Sequence, residues 1–136
     1  MLENFKVLEV IKSVEPACLI IDDKHLRFTK PVITLLDFAP YAKILMDADG
    51  KRVAIQVARG NEANTINFSK GKDEQKSSVI FQNAVMVSII RGIMPEWKPG
   101  EKFSIAGQYS KDDKAVIFDL NTAKPYWRRD PKKNAE

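Results

Sequence analysis

The segment from Ala42 to Val57 constrains the fold most, because two alternating apolar stretches flank a run of turn-forming residues. The turn is Asp47-Ala48-Asp49-Gly50, and Gly50 is expected to supply the positive φ that such turns often require. The apolar side chains that can share one face of the two arms are Ile44, Met46, Val53, Ile55 and Val57. The pattern therefore predicts an antiparallel hairpin with one buried face.

A second hairpin is predicted before it. Ala17 to Ile21 is a short apolar run, and a polar turn from Asp22 to His25 separates it from the alternating residues Leu26 and Phe28. Two such runs around a polar turn favour antiparallel pairing. Upstream, residues 5–11 are apolar and β-branched, which predicts an opening strand or, as the alternative, a short amphipathic helix.

A short helix is predicted between the two hairpins. Thr29 is the candidate N-cap, and Pro31 falls in the first turn, where its missing N–H is harmless. Pro40 is expected to end the helix. The expected buried stripe is Val32, Leu35 and Leu36. The first half of the chain therefore reads as strand, helix and hairpin.

The second half is predicted to repeat this order in outline. Thr65 to Lys70 echoes Leu26 to Lys30, and a charged, exposed and mobile loop is predicted over 71–76. Val79 and Phe81 alternate as a strand. A helix is then predicted from Asn83, with Gly92 weakening its last turn and Pro95 ending it. Its predicted core face is Met86, Ile89, Ile90 and Ile93.

A closing hairpin completes the predicted fold. Its arms carry Phe103, Ile105 and Tyr109 on one side and Val116, Phe118 and Leu120 on the other. The fold class is therefore α+β, a mainly antiparallel sheet with two helices, built from two pseudo-repeated halves at about 17–59 and 64–121. The alternative is that strand–helix–hairpin order is a common way to cover a sheet and no duplication occurred. We predict one domain over 1–123 and a basic, partly flexible tail over 124–136.

The charge of the chain is concentrated at its end. The 136 residues carry a net charge of +4, of which the tail from Lys124 accounts for +3. A solvated tail with no specific role is one interpretation, and binding is the other. With a single cysteine, no secretory signal pattern and no long apolar run, the composition predicts a cytoplasmic protein without a membrane partner.

Residues that could support catalysis are few. His25 is expected to be a solvated turn residue, and Cys18 lies in an apolar strand where it should behave as a small hydrophobe. The carboxylate pairs at 22–23 and 112–113 fall in predicted turns, where aspartate is favoured for backbone reasons. We therefore expect no enzyme activity, no cofactor and no metal site.

Surface cations offer a different function. Arg27, Lys43 and Arg52 fall on the polar sides of their predicted strands, and neighbouring strands could join them into one phosphate-binding patch. The predicted nucleic-acid-binding residues are Lys24, Arg27, Lys30, Lys43 and Arg52. The alternative is that these are ordinary solvated positions. The expected partner is duplex DNA, and the competing expectation is a non-enzymatic module that binds protein; a homo-oligomer is compatible with either.

The stretch from Asp22 to Pro31, with the short helix and hairpin that follow, resembles the AbrB/MraZ-type swapped-hairpin proteins. Asp23 and Arg27 match the D-x-x-x-R pattern of that family. The resemblance implies paired half-domains and a DNA-binding transcriptional regulator that uses arginines on its strands. The hairpin segment is also similar to small bacterial proteins of unknown function.

Overall fold

Residues 3–4, 16–75 and 77–126 are described by a computed structural model, so the predicted opening strand at 5–11 and the tail beyond residue 126 lie outside them. The strands are β1 (Cys18–Ile21), β2 (His25–Phe28), β3 (Tyr41–Asp47), β4 (Arg52–Val57), β5 (Ile66–Asn67), β6 (Val79–Gln82), β7 (Phe103–Ser110), β8 (Ala115–Asp119) and β9 (Lys124–Pro125). The helices are α1 (Lys30–Leu35) and α2 (Ala84–Arg91), with a 3₁₀ turn at Leu120–Thr122. The predicted α+β class is confirmed.

All strand pairs of the described residues are antiparallel and belong to one curled sheet. The strand order is β5-β3-β4-β8-β7-β1-β2-β6, and β9 pairs with β7 where β8 has ended. Strand β7 changes partner along its length: its first half pairs with β1 and its second half, from Gly107, with β8. The three predicted hairpins are confirmed as β1–β2, β3–β4 and β7–β8.

The core lies inside the curl of the sheet. Phe28 on β2 is fully buried, and its ring contacts Phe81 of the neighbouring strand β6. The same ring also contacts Phe68, just after β5, and Phe118 on β8, with centroids about 6 Å apart. Because β5 and β8 are distant from β2 in the strand order, these contacts show that the sheet wraps around one shared apolar interior.

Helix α1 starts where the sequence predicted, but Thr29 serves the sheet more than the helix. Thr29 is the N-cap residue, and its side chain makes no capping hydrogen bond. Its hydroxyl accepts a hydrogen bond from Cys18 N at 2.9 Å and donates one to Pro16 O at 2.8 Å. The buried hydroxyl therefore joins the start of α1 to the start of β1, which places the helix over the core.

The β3–β4 turn corrects the expectation for Gly50. The residue with positive φ is Lys51, at 54°, and not Gly50. Gly50 instead donates its backbone N–H to Asp47 Oδ1 at 2.9 Å. A Cβ at position 50 would lie 2.4 Å from Asp47 Oδ2, so a larger residue here would displace that carboxylate.

Helix α2 corrects the predicted core face. Asn83 caps the helix by accepting a hydrogen bond from Met86 N at 3.0 Å. Val87 and Ile90 are buried, whereas Ile89 is 55% exposed. Since each residue turns about 100° round the axis, Ile89 lies roughly 130° from the centre of the face formed by Val87 and Ile90. The prediction that Ile90 is in the core is confirmed, and the prediction for Ile89 is wrong.

Two further expectations differ from the structure. Gln75, in the loop predicted to be exposed, is buried; its Oε1 accepts from Lys70 N at 2.9 Å and its Nε2 donates to Ser77 O at 2.8 Å. The pseudo-repeat is not confirmed. The echoing segment forms β5, a two-residue edge strand, and the second helix follows β6 instead. Among the described residues, no helix is long and apolar enough to cross a membrane.

Candidate nucleic-acid interface

The structure places Lys43 and Arg52 on the β3–β4 hairpin, each beside an acid. Lys43 Nζ lies 3.5 Å from Glu62 Oε2. Arg52 lies opposite Asp47 in the strand register. It donates to Asp47 Oδ2 from Nε at 3.2 Å and from Nη2 at 2.8 Å. Their two residue pairs, Lys43 with Gln56 and Asp47 with Arg52, are four positions apart along the hairpin, about 14 Å. They do not form one cluster.

Backbone donors set the acidity of both acids. Hydrogen bonds from Gly50 N and from the Arg52 side chain lower the pKa of Asp47 below its ordinary value. The backbone N–H of Arg59 is the main cause that lowers the pKa of Glu62, with a smaller contribution from Lys43. Both acids are therefore ionised at neutral pH, and each offsets the charge of its neighbouring cation.

Arg27 lies in a different part of the sheet. Its strand β2 pairs with β1 and β6, and three strands separate β2 from β4. Lys24 lies in the β1–β2 turn and Lys30 is the exposed first residue of α1. The predicted patch requires Arg27 to lie on a strand next to those of Lys43 and Arg52. The sheet does not place it there.

Arg27 instead lines a groove of about 600 Å³ on the convex face of the sheet, here called the outer groove. Ile80, Arg27, Ile20 and Ser104 lie directly opposite one another on β6, β2, β1 and β7. Side chains of this row alternate with the buried Leu26 and Phe28 and point to the other face of the sheet. The groove is lined by Ile20, Asp22, His25, Arg27, Ser78, Ile80, Lys102 and Tyr126.

One end of the outer groove holds a cation and an aromatic ring from the second half of the chain. Lys102 precedes β7, and its Nζ lies 5.8 Å from the centroid of the Tyr126 ring. The two residues are held side by side because Tyr126 N donates to Lys102 O at 2.8 Å, just after the short β7–β9 pairing. Both were missed by the sequence prediction, although the alternation through Phe103 and Ile105 could have placed Lys102 near a strand start.

The carboxylate in the outer groove is already occupied by donors. Asp22 Oδ1 accepts from the backbone N–H groups of Lys24 at 2.8 Å and His25 at 2.6 Å, and His25 Nδ1 lies 3.1 Å from Asp22 Oδ2. Partial burial opposes ionisation of Asp22, but these hydrogen bonds together outweigh it and lower its pKa. His25 is therefore the partly buried first residue of β2, bonded to Asp22, and not the solvated turn residue that was predicted.

The outer groove also contains the residue types of a hydrolytic triad without its geometry. Ser78 Oγ accepts a hydrogen bond from Arg27 Nε at 2.8 Å. His25 pairs with Gln82, and the register places Ser78 four residues further along β6, about 13 Å away. Ser78 and His25 are thus too far apart for a hydrogen bond, which a nucleophile and its base require. Within the described residues, no group of three or more His, Cys, Asp or Glu could hold a metal ion.

Arg91, a cation with several backbone and aromatic contacts, is structural. It donates to Lys98 O at 2.7 Å and to Glu101 O at 3.0 Å, and its guanidinium lies near Trp97 and Phe103, whose rings stack at 4.3 Å. These contacts fix the end of α2 to the loop that enters β7. Because its donors are directed at backbone carbonyls, Arg91 is not a candidate ligand-binding residue.

Comparisons of the chain with protein-family models, with curated proteins and with solved structures find no match. The resemblance to AbrB/MraZ-type proteins remains a prediction. Hypotheses about function therefore rest on the residues and geometry of this chain.

Proposed function

We propose that the protein binds nucleic acid in the outer groove, with Arg27 and Lys102 contacting backbone phosphates. The observation that carries the proposal is that these two cations and the Tyr126 ring line one open groove. Guanidinium and ammonium groups bind phosphate oxygens, and phosphate contacts provide most of the sequence-independent affinity for nucleic acid.

The electrostatics of the outer groove support this role. Among the described residues that line the groove, the one carboxylate is Asp22, which accepts three hydrogen bonds from Lys24 and His25 and is not paired with Arg27 or Lys102. Arg27 lies on β2 and Lys102 directly precedes β7, two strand intervals or about 10 Å away across the sheet, so they can contact different phosphates.

The shape of the outer groove favours a single strand over the duplex that the sequence analysis expected. Proteins read duplex DNA mostly with protruding elements, such as a helix or a two-stranded ribbon, that enter its grooves. A concave cationic groove with an aromatic ring is the arrangement that binds single strands, whose bases stack on the ring. Tyr126 provides the ring, and the 58% exposed Ile80 provides an apolar contact at the other end.

The test is fluorescence anisotropy of the full chain with a labelled oligothymidine and with a duplex of equal length, over a salt series. We expect Arg27→Gln and Lys102→Gln each to weaken binding to the single strand and to reduce the salt slope by about 0.7, the value for one phosphate contact. The matched controls are Lys43→Gln and Arg52→Gln, which remove the same charge from the other part of the sheet. Circular dichroism melts of all four variants check that each is folded.

Three outcomes would overturn the proposal. The first is no binding at low salt. The second is equal weakening by the groove variants and the hairpin controls, which would indicate overall attraction. The third is loss of binding on truncation after Tyr126 while Arg27→Gln binds normally, which would place the site in the tail. Tighter binding of the duplex than of the single strand would reject the preference for single strands.

A second candidate function, protein binding, is favoured by the edge of β6, which pairs only with β2 among the described residues. Asn83 N donates to Lys24 O at 3.1 Å, so the alternation of an antiparallel ladder directs the backbone groups of Ile80 and Gln82 away from β2. Strand β6 contains no charge and no proline, the usual protections of an edge strand. Such an edge can accept a strand from a second copy without placing like charges opposite each other.

Sedimentation velocity at rising protein concentration tests this second candidate. We expect reversible dimerisation that Gln82→Pro abolishes, because proline removes an outward N–H without affecting the ladder with β2. Gln82→Ser retains that N–H and is the matched control. A monomer at every concentration, or a Gln82→Pro protein that still dimerises, would reject the β6 interface.

A further inference from the structure

A second cavity, of about 330 Å³, lies at one end of the curled sheet, between the C-terminal turn of α1 and the β7–β8 hairpin. We call it the end cavity. Its walls are mostly apolar and include Leu35, Leu36, Pro40 and Val57. Its volume is at the lower end of the range for small-molecule sites, and the open end of a barrel-like sheet is a common place for such sites.

Tyr109, which the sequence analysis placed on one arm of the closing hairpin, adds an aromatic wall to the end cavity. Tyr109 pairs with Val116, which is fully buried, so its side chain is on the inner face of the sheet. The ring is nevertheless 41% exposed, because the strand extends beyond the packed interior into the end cavity. An aromatic ring directed inward but left uncovered can pack against a ligand.

Two opposite charges at the end cavity have no partner among the described residues. Asp37 and Lys114 both line it, and neither side chain makes a hydrogen bond or ion pair within the described part of the chain. The end cavity therefore presents an unpaired carboxylate and an unpaired ammonium beside apolar walls.

The backbone holds both charged residues in an unusual conformation. Five described residues other than glycine have positive φ, and Asp37 (54°), Phe38 (53°) and Lys114 (51°) are three of them. Hydrogen bonds maintain this geometry: Phe38 N donates to Ile33 O at 3.0 Å, and Val57 N donates to Lys114 O at 2.9 Å. Strained backbone concentrated at one cavity is typical of binding sites.

From charge complementarity we infer that the end cavity binds a zwitterionic small molecule with an apolar body, namely a free α-amino acid with an aromatic or branched aliphatic side chain. Asp37 would accept the ligand ammonium and Lys114 would donate to its carboxylate. The ligand side chain would pack against Val57 and the Tyr109 ring. This site is separate from the outer groove and does not depend on the nucleic-acid proposal.

The experiment is a titration of the ¹⁵N-labelled full chain with L-phenylalanine and L-leucine, followed by two-dimensional NMR. Phenethylamine lacks the carboxylate and 3-phenylpropionate lacks the ammonium, so they test the two charges separately. We expect saturable shifts of the Val57 and Tyr109 amides with the amino acids. Each one-charge analogue should bind about tenfold more weakly, the loss for one charge-assisted contact.

Variants assign the two charges to their residues. Asp37→Asn keeps a residue that tolerates positive φ, and it should bind L-phenylalanine and 3-phenylpropionate with similar affinity. Lys114→Gln should likewise bind L-phenylalanine and phenethylamine with similar affinity. Asp112→Asn and Lys111→Gln remove charges from the same β7–β8 turn outside the cavity and should leave binding unchanged.

Several results would overturn the inference: no saturable shift with any of the four probes, equal affinity of the wild-type chain for L-phenylalanine and either analogue, or equal effects of the cavity variants and the turn controls. Shifts confined to the outer groove would also reject it, since the ligand would then be elsewhere.

Discussion

Helix α2 offers the sharpest test of the packing, because Ile89 and Ile90 are adjacent and chemically identical but differ in burial. Ile90 is 2% exposed and Ile89 is 55% exposed. Replacing each by alanine removes the same atoms from the same helix. The change in helix propensity is therefore shared, and the difference between the two variants isolates the packing.

The expected magnitudes follow from burial. Ile90→Ala removes a fully buried side chain and leaves a cavity, which should lower the free energy of unfolding by about 2–5 kcal/mol. Ile89→Ala loses little buried area and gains a few tenths of a kcal/mol in helix propensity, so its net effect should stay within about 0.5 kcal/mol.

Urea unfolding of the wild type and both variants, followed by far-ultraviolet circular dichroism, measures these changes. Equal slopes in urea would show that the comparison concerns stability and not the compactness of the unfolded state. Equal losses at the two positions, or a larger loss for Ile89→Ala, would mean that α2 packs with a different face against the sheet.

Three further predictions concern the stability of the fold around the two sites. Gly107→Ala places a Cβ 2.5 Å from Val116 Cγ1, so overpacking should lower the free energy of unfolding by about 1–3 kcal/mol. The urea midpoint should fall accordingly, and an unchanged midpoint would contradict this. Arg91→Met removes donors to carbonyls such as Lys98 O and should cost about 2–3 kcal/mol, visible as a lower Tm, whereas an unchanged Tm would refute the structural role. Asp22→Ala should destabilise at pH 7. Because the folded pKa of Asp22 is lowered, its contribution to the free energy of unfolding is complete above the ordinary pKa of 3.8 and disappears as pH falls through the folded pKa. The stability difference between the wild type and Asp22→Ala should therefore shrink in acid. A difference independent of pH would contradict this.

Local elements could be predicted because neighbouring residues encode them. The β1–β2 and β3–β4 hairpins follow from apolar alternation around polar turns, and α1 starts at Thr29 and Pro31 as predicted. The failures also have local causes. The turn at Gly50 has no positive φ there, and the close contact at this position is with the Asp47 carboxylate, which no composition rule for turns specifies.

The candidate site could be predicted only in part, because it depends on contacts between distant segments. Arg27 was found as a polar residue on an alternating strand. Its neighbour Ile80 comes from β6, Ser78 directly precedes that strand and Lys102 precedes β7, and the spacing of residues shows neither strand pairing. The same limitation explains why the sequence grouped Lys43 and Arg52 with Arg27. All three are polar-face cations, but the sheet places Arg27 in a different part.

The central claim is that nucleic acid binds on the outer face of β6, β2, β1 and β7. An NMR titration of the ¹⁵N-labelled full chain with oligothymidine at low salt tests it most directly. The claim predicts saturable amide shifts centred on Arg27, Ile80 and Lys102, which fade as salt is added. Shifts centred on the β3–β4 hairpin around Lys43 and Arg52, or no shifts at low salt, would contradict it.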